Sequence, residues 1–239
     1  MASLPTVSGS DAMMTADGFT PDIPDTYKKA ALMLRSIYLV RHGESVSNAG
    51  GITMPHALIP LTEAGRKQAG ALSARLPARP PRILASPFIR ALDTAEPYAK
   101  RMQVKIEQEP LLQEFDMVDP VLIAGMDQAQ RRPIADAFWK EGDPTKQMGE
   151  QAESFGQFAS RVSVFMADRL PLLPDGTVCF GHGIWIGMVA WKLLGFGVDT
   201  SEDMRRFRRF QTGLPLPNGA VYALEELAPA QWLLRNRFV

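Results

Sequence analysis

The sequence predicts an α/β fold in three layers, a sheet between two sets of helices, and three observations support that expectation. Short apolar runs, Ile37 to Val40, Ile83 to Ser86 and Thr177 to Phe180, read as buried strands. Between them lie segments whose apolar residues recur at helical spacing, so strands alternate with helices. Two closing runs, Ala220 to Leu224 and Gln231 to Phe238, read as a hairpin at the sheet edge. At 239 residues and 46% hydrophobic content, the chain can bury a sizeable core as one domain.

Composition narrows the partners. The 26 basic and 26 acidic residues cancel, which removes any global charge argument for nucleic acid or an anionic membrane. Three histidines without close spacing form no recognisable zinc site. The single cysteine, Cys179, excludes an internal disulfide, and in its apolar strand it reads as an inert core thiol. No apolar run approaches the roughly 20 residues that span a bilayer, and the first residues lack the basic and apolar regions of a signal peptide. The expectation is a soluble cytoplasmic protein with no nucleic-acid or membrane partner. Oligomeric state leaves no mark in the sequence.

In chain order, residues 1–24 read as a flexible tail, and 25–239 as the domain. A helix is expected in TYKKAALML, capped by Asp25 or Thr26. The strand Ser36 to Val40 ends abruptly at Arg41, His42 and Gly43, where Gly43 lets the backbone turn sharply or approach a ligand. Thr62 caps a helix expected to run to Leu76. After the strand at Ile83, Pro87 is placed to begin a second helix, which Pro97 kinks or ends. A third strand spans Val104 to Glu107. Residues 116–150 carry mixed signals and three prolines, and are expected to be an insertion of short helices covering the core. Phe155, Phe158, Val162, Phe165 and Met166 then share one helical face. The strand Thr177 to Phe180 ends at Gly181-His182-Gly183, echoing the first, and an apolar helix follows that stops at Gly195.

Two strands that each end in a histidine beside glycine imply two imidazoles converging at one sheet edge, where open α/β sheets bind ligands. Arg41 accompanies the first, and Arg90, in SPFIRALDTA, starts a helix after another strand end. Arginine forks and a helix N-terminus suit the oxygens of a tetrahedral dianion. An imidazole held by a backbone carbonyl can attack phosphorus, and a carboxylic acid must then protonate the departing alcohol.

The blocks RHGESVSN, PLTEAGRKQA, SPFIRALDTA, LLQE and FGHG, in that order, resemble the histidine phosphatase superfamily, in its phosphoglycerate mutase-like branch. The resemblance spans roughly Ile37 to Tyr222. It implies a mixed, mainly parallel sheet and a phosphomonoester hydrolase that works through a phosphohistidine, with no cofactor or metal and a small phosphorylated substrate. By matching motif, His42 is the nucleophile and Glu114 the proton donor, while Arg41, Arg90, His182 and Asn48 hold the phosphoryl group. The family's glycine and acidic pattern after the donor is eroded to FDMVDP, which makes Asp116 a rival donor. Thr53 lies near a family Ser/Thr position, but the spacing through GGITMPH is loose and it stays outside the set. His56 reads as an exposed loop residue, and Glu44 as a residue that fixes the loop.

Arg205, Arg206, Arg208 and Arg209 alternate with Phe207 and Phe210 as the solvated face of an amphipathic helix, or as a rim attracting phosphorylated substrates. The rival functions are a phosphoglycerate mutase-type phosphotransferase and a catalytically silent phospho-ligand or RNA-binding module. The residues that choose the substrate lie outside the matched blocks.

Overall fold

The computed structural model describes residues 35–237. The expected tail and the helix expected after Asp25 lie outside them. A six-stranded sheet forms from β1 (Ser36–Arg41), β2 (Ile83–Ala85), β3 (Ile106–Gln108), β4 (Val178–Gly181), β5 (Val221–Ala228) and β6 (Gln231–Asn236). Its order is β3-β2-β4-β1-β5-β6. The first four neighbours run parallel, and β5 and β6 close the edge as an antiparallel hairpin.

Alternation along each strand builds the three layers, because successive side chains leave opposite faces of a sheet. Ile37, Leu39, Leu84 and Cys179 enter one apolar cluster. Val40, Ile83, Ala85, Val178 and Phe180 enter the other. The smaller cluster is covered by α1 (Glu63–Leu72) and α2 (Ile89–Met102), through Leu72, Ala95, Tyr98 and Ala99. The larger is covered by α4 (Phe155–Val164), α5 (Gly183–Leu193) and α6 (Ser201–Gly213), with Phe155, Phe158, Trp185, Val189 and Phe207. Phe155, Phe158, Val162 and Phe165 are fully buried, as their spacing predicts. The thiol of Cys179, buried among them, is pushed up by desolvation and is inert.

Several boundaries differ from expectation for local reasons. Thr62 caps α1 by accepting from Gly65 N at 3.0 Å, a bond worth about 1 kcal/mol, but the helix ends at Leu72 and Leu76 packs from the turn beyond. Phe88, not Pro87, flanks the start of α2 with extended backbone, so Pro87 belongs to the preceding turn. The helix runs through Pro97 to Met102. The segment after Ser154 is not one regular helix: α4 passes at Phe165–Arg169 into a π turn and then a short 3-10 turn at Leu170–Leu172.

Within 116–150, a 3-10 turn at Pro120–Ile123 precedes α3 (Gln128–Glu141), which carries a capping box at Asp127. This segment does more than cover the core. Phe138 and Trp139 are 2% and 5% exposed and belong to the larger cluster, packed against Phe115 and Phe155.

Candidate active site

The parallel pairing of β1 with β4 aligns Arg41 opposite Gly181, so the two strand ends deliver the next residues, His42 and His182, side by side. The register continues one step further, with His42 N donating to Gly181 O at 3.0 Å. The rings meet edge to face with centroids 5.2 Å apart.

The chain around His42 is compressed. A Cβ on Gly43 would lie 2.5 Å from Gly65 O, and one on Gly65 would lie 2.0 Å from Glu44 O. Gly43 is therefore required for backbone-to-backbone approach to α1, rather than for a turn or for a ligand. Gly43 N donates to Thr94 Oγ1 on α2, and Glu44 accepts from the Thr62 hydroxyl at 2.6 Å, which fixes the loop as expected.

His42 Nδ1 lies 2.6 Å from Gly43 O, a carbonyl that only accepts, so the ring proton sits on Nδ1. Nε2 accepts from Arg90 Nε at 3.2 Å. The ring is 4% exposed, and burial followed by the charge of Arg90 holds its pKa well below the ordinary imidazole value. His42 is thus a neutral imidazole whose single Nε2 lone pair is engaged by Arg90 alone.

Arg90 itself stacks 4.9 Å from the centre of the Phe88 ring, and its Nη1 donates to His56 O at 2.7 Å. Its burial pushes the guanidinium pKa down to about 10, against the opposing pull of Glu114 and Asp116. Arg41 donates through Nη1 to Leu216 O. Gly183 gives it room, since a Cβ there would lie 3.2 Å from Arg41 Nε.

His182 is fully buried and lies behind His42. Its Nε2 is 2.8 Å from Ser86 Oγ, which also accepts from Phe88 N; with the Ser86 hydroxyl donating to Nε2, the ring proton sits on Nδ1. Burial, then Arg90, lowers its pKa well below the usual value as well. Among the described residues, the buried side-chain nitrogens and oxygens without a hydrogen-bond partner are Arg41 Nε and His182 Nδ1. Both belong to this site. Orphaned buried polar atoms are costly in a finished core.

Glu114 closes the arrangement at the N-terminus of α5. Its Oε1 accepts from Phe115 N and Trp185 N, and its Oε2 from Ile184 N, all at 3.0 Å. The turn that carries it is held from α4 by Arg161, which donates to the carbonyls of Leu111, Gln113 and Glu114 while pairing bidentately with Glu153. Asp116, the rival carboxylate, accepts a hydrogen bond from His56 Nδ1.

Arg41, His42, Asn48, Arg90 and Glu114 line one cavity of about 760 Å³, which also takes in His56. His182 and Asp116 are not on its wall. Asn48 accepts through Oδ1 from Ser45 and from Asn218 Nδ2, leaving its own amide nitrogen to donate. Thr53 is occupied elsewhere, bonded to Met126 O and Arg131. The sequence reading missed Asn218, which also donates to His42 O, together with Thr94, Ser86, Arg161 and the Leu216 carbonyl. Ser86 and Thr94 stand inside the quoted block SPFIRALDTA and were findable there; Asn218 and Arg161 carry no local signal.

Fold and site together define an α/β protein in which two histidines, two arginines and a glutamate converge at the carboxyl ends of parallel strands. A family model described as the histidine phosphatase superfamily (branch 1) matches residues 37–220, and the chain belongs to that superfamily. It is 30% identical over 181 residues to the probable phosphoglycerate mutase GpmB of Enterobacter sp. (strain 638), covering 71% of this chain and 79% of that protein. The protein of the same name from Photorhabdus laumondii is 28% identical over 179 residues, with the same coverage. Among solved structures, the alpha-ribazole phosphatase from Shigella flexneri superposes with a TM-score of 0.64 at 22% identity, covering 84% of this chain and 95% of that one. A mycobacterial glucosyl-3-phosphoglycerate phosphatase does so at 0.62 and 24%, covering 84% and 97%. At these identities the structures establish the shared fold.

Proposed function

We propose that the chain is a phosphomonoester hydrolase that forms a phosphohistidine on His42 Nε2, acting on a small phosphorylated substrate in a reducing cytoplasm. The observation that carries this reading is the pairing of a neutral, Nδ1-protonated His42 with two orphaned donors, Arg41 Nε and His182 Nδ1. Among the described residues no helix is long and apolar enough to cross a membrane.

In the first step His42 Nε2 forms a bond to phosphorus while the bond from phosphorus to the leaving oxygen breaks. The leaving oxygen takes a proton from Glu114. Arg41, Arg90, His182 and Asn48 bind the equatorial oxygens, which carry the transferring charge. Glu114 is preferred over Asp116 because it lines the cavity, whereas the carboxylate of Asp116 is engaged by His56. The open lone-pair site on Oε2, which accepts a single main-chain bond, is where the proton is carried. In the second step Glu114 takes a proton from water, the water oxygen attacks phosphorus, the N–P bond breaks, and phosphate leaves. No step is routed through a metal.

The test is phosphate release from an activated aryl phosphate by wild type and His42→Ala. Turnover by the variant at the wild-type rate overturns the reading. A mutase remains the second reading because curated relatives at 28–30% identity carry that name. A coupled assay with a phosphoglycerate separates the two: isomerisation faster than release favours the mutase.

A further inference from the structure

The cavity is larger than a phosphoryl group needs, so a leaving group must occupy the part walled by α3 and α6. Arg208 of α6 lines that part. Its guanidinium lies 5.0 Å from the centre of the Trp139 ring, and Nη1 donates to Gln211 Oε1 at 2.9 Å. Trp139 is in turn fixed by Phe115, Phe138 and Phe155, so the stacked fork is held rigidly.

Among the described residues Arg208 forms no ion pair. Glu202 is taken by Arg205 and Arg209, and Asp136, which acts on Arg208 at longer range, is 3.7 Å from Arg132. Of the other arginines on this wall, Arg131 spends Nη1 on Gly51 O, Thr53 Oγ1 and Met126 O, while Arg132 is exposed. A half-buried cation with no carboxylate in direct contact is costly, and burial lowers its pKa against the weaker pull of Asp136. An oxyanion entering the cavity would relieve that cost.

We infer that Arg208 is a second anion-binding point of this cavity, and that the substrate is a phosphomonoester whose leaving group ends in a further oxyanion, a carboxylate or a second phosphate. This rests on the phosphatase reading of the site. The stacked fork favours a planar carboxylate through two parallel bonds, and Gln211 beside it orients the pair.

Calorimetric binding to the His42→Ala protein tests the inference without turnover. The probes are alkyl phosphates, ω-carboxyalkyl phosphates and alkanediol bisphosphates of matched chain length. At one chain length an anionic tail is expected to tighten binding about tenfold over the alkyl series. The arm that gains more, carboxylate or bisphosphate, identifies the oxyanion. Arg208→Gln in the same background removes the gain, and Arg208→Lys, which keeps the stem over Trp139 and the charge but loses the fork, retains only part of it. Equal or tighter binding of the alkyl series overturns the inference, as does a gain that survives Arg208→Gln. Phosphate release by the wild-type protein on the same probes is read separately. Release with no tail effect in binding refutes the second site alone, whereas a tail effect without release supports it and refutes hydrolysis.

Discussion

The two strand ends that meet at the site carry nearly the same local sequence, Arg41-His42-Gly43 and Gly181-His182-Gly183, yet their imidazoles are placed for different work. His42 gives its Nδ1 proton to the next carbonyl in its own chain and leaves Nε2 beside Arg90 on the cavity wall. His182 sits at the start of α5, turns Nε2 to Ser86, and keeps Nδ1 open within a fully buried environment. A histidine's role is set by which nitrogen its surroundings occupy. On the proposed reading the first ring acts as the nucleophile and the second as a hydrogen-bond donor.

Exchanging the two losses is the strongest way to break that contrast. His42→Ala is expected to lose turnover by about 10⁴-fold or more, and His182→Ala by about 10² to 10³-fold. Rapid-quench trapping of labelled phosphoryl groups checks the roles directly: His182→Ala still accumulates phosphoenzyme and His42→Ala does not. Trapping by His42→Ala would reverse the assignment.

Next in size is the support of Glu114, the proposed proton donor, which neither histidine shares. Arg161→Met frees the 111–114 turn, and kcat on an alkyl phosphate is expected to fall about tenfold more than on a nitrophenyl phosphate, whose departure needs no acid. Equal losses on both would reduce Arg161 to a structural ion pair.

The pH dependence of stability probes what the histidines have in common. Both folded pKa values lie below the ordinary 6.5, so below that pH the unfolded chain binds more protons than the folded one. Stability therefore falls as pH drops from 6.5 towards the folded values, by at most about 1.4 kcal/mol per pH unit for each ring. Urea midpoints of wild type and His182→Asn check this, with a shallower slope expected in the variant.

The finest distinction is the Ser86 hydroxyl. Ser86→Ala is expected to lower kcat less than about tenfold, because His182 keeps its place and loses a single bond. A change confined to KM would argue that His182 binds substrate without assisting transfer.

Much of this was legible in the chain. Strand alternation, the Thr62 cap and the two His-Gly strand ends are short-range patterns, so period and composition were enough to find them. The ordered blocks likewise pointed to His42, Arg41, Asn48, Arg90, His182 and Glu114. What was misjudged depended on neighbours distant in sequence. Gly43 faces Gly65, and the 116–150 segment adds to the core because Trp139 meets Phe155 of α4 and Phe207 of α6.

The sequence by itself determined which residues stand at strand and helix ends, and therefore which side chains could reach a common edge. The tertiary structure alone decided how they are used. Arg90 reaches His42 across 48 residues, the main-chain N–H of Trp185 reaches Glu114 across 71, and Asn218 reaches the His42 carbonyl across 176. Parallel pairing of β1 with β4 brings these groups together. Only then do burial and neighbouring charge hold both imidazoles well below their ordinary pKa.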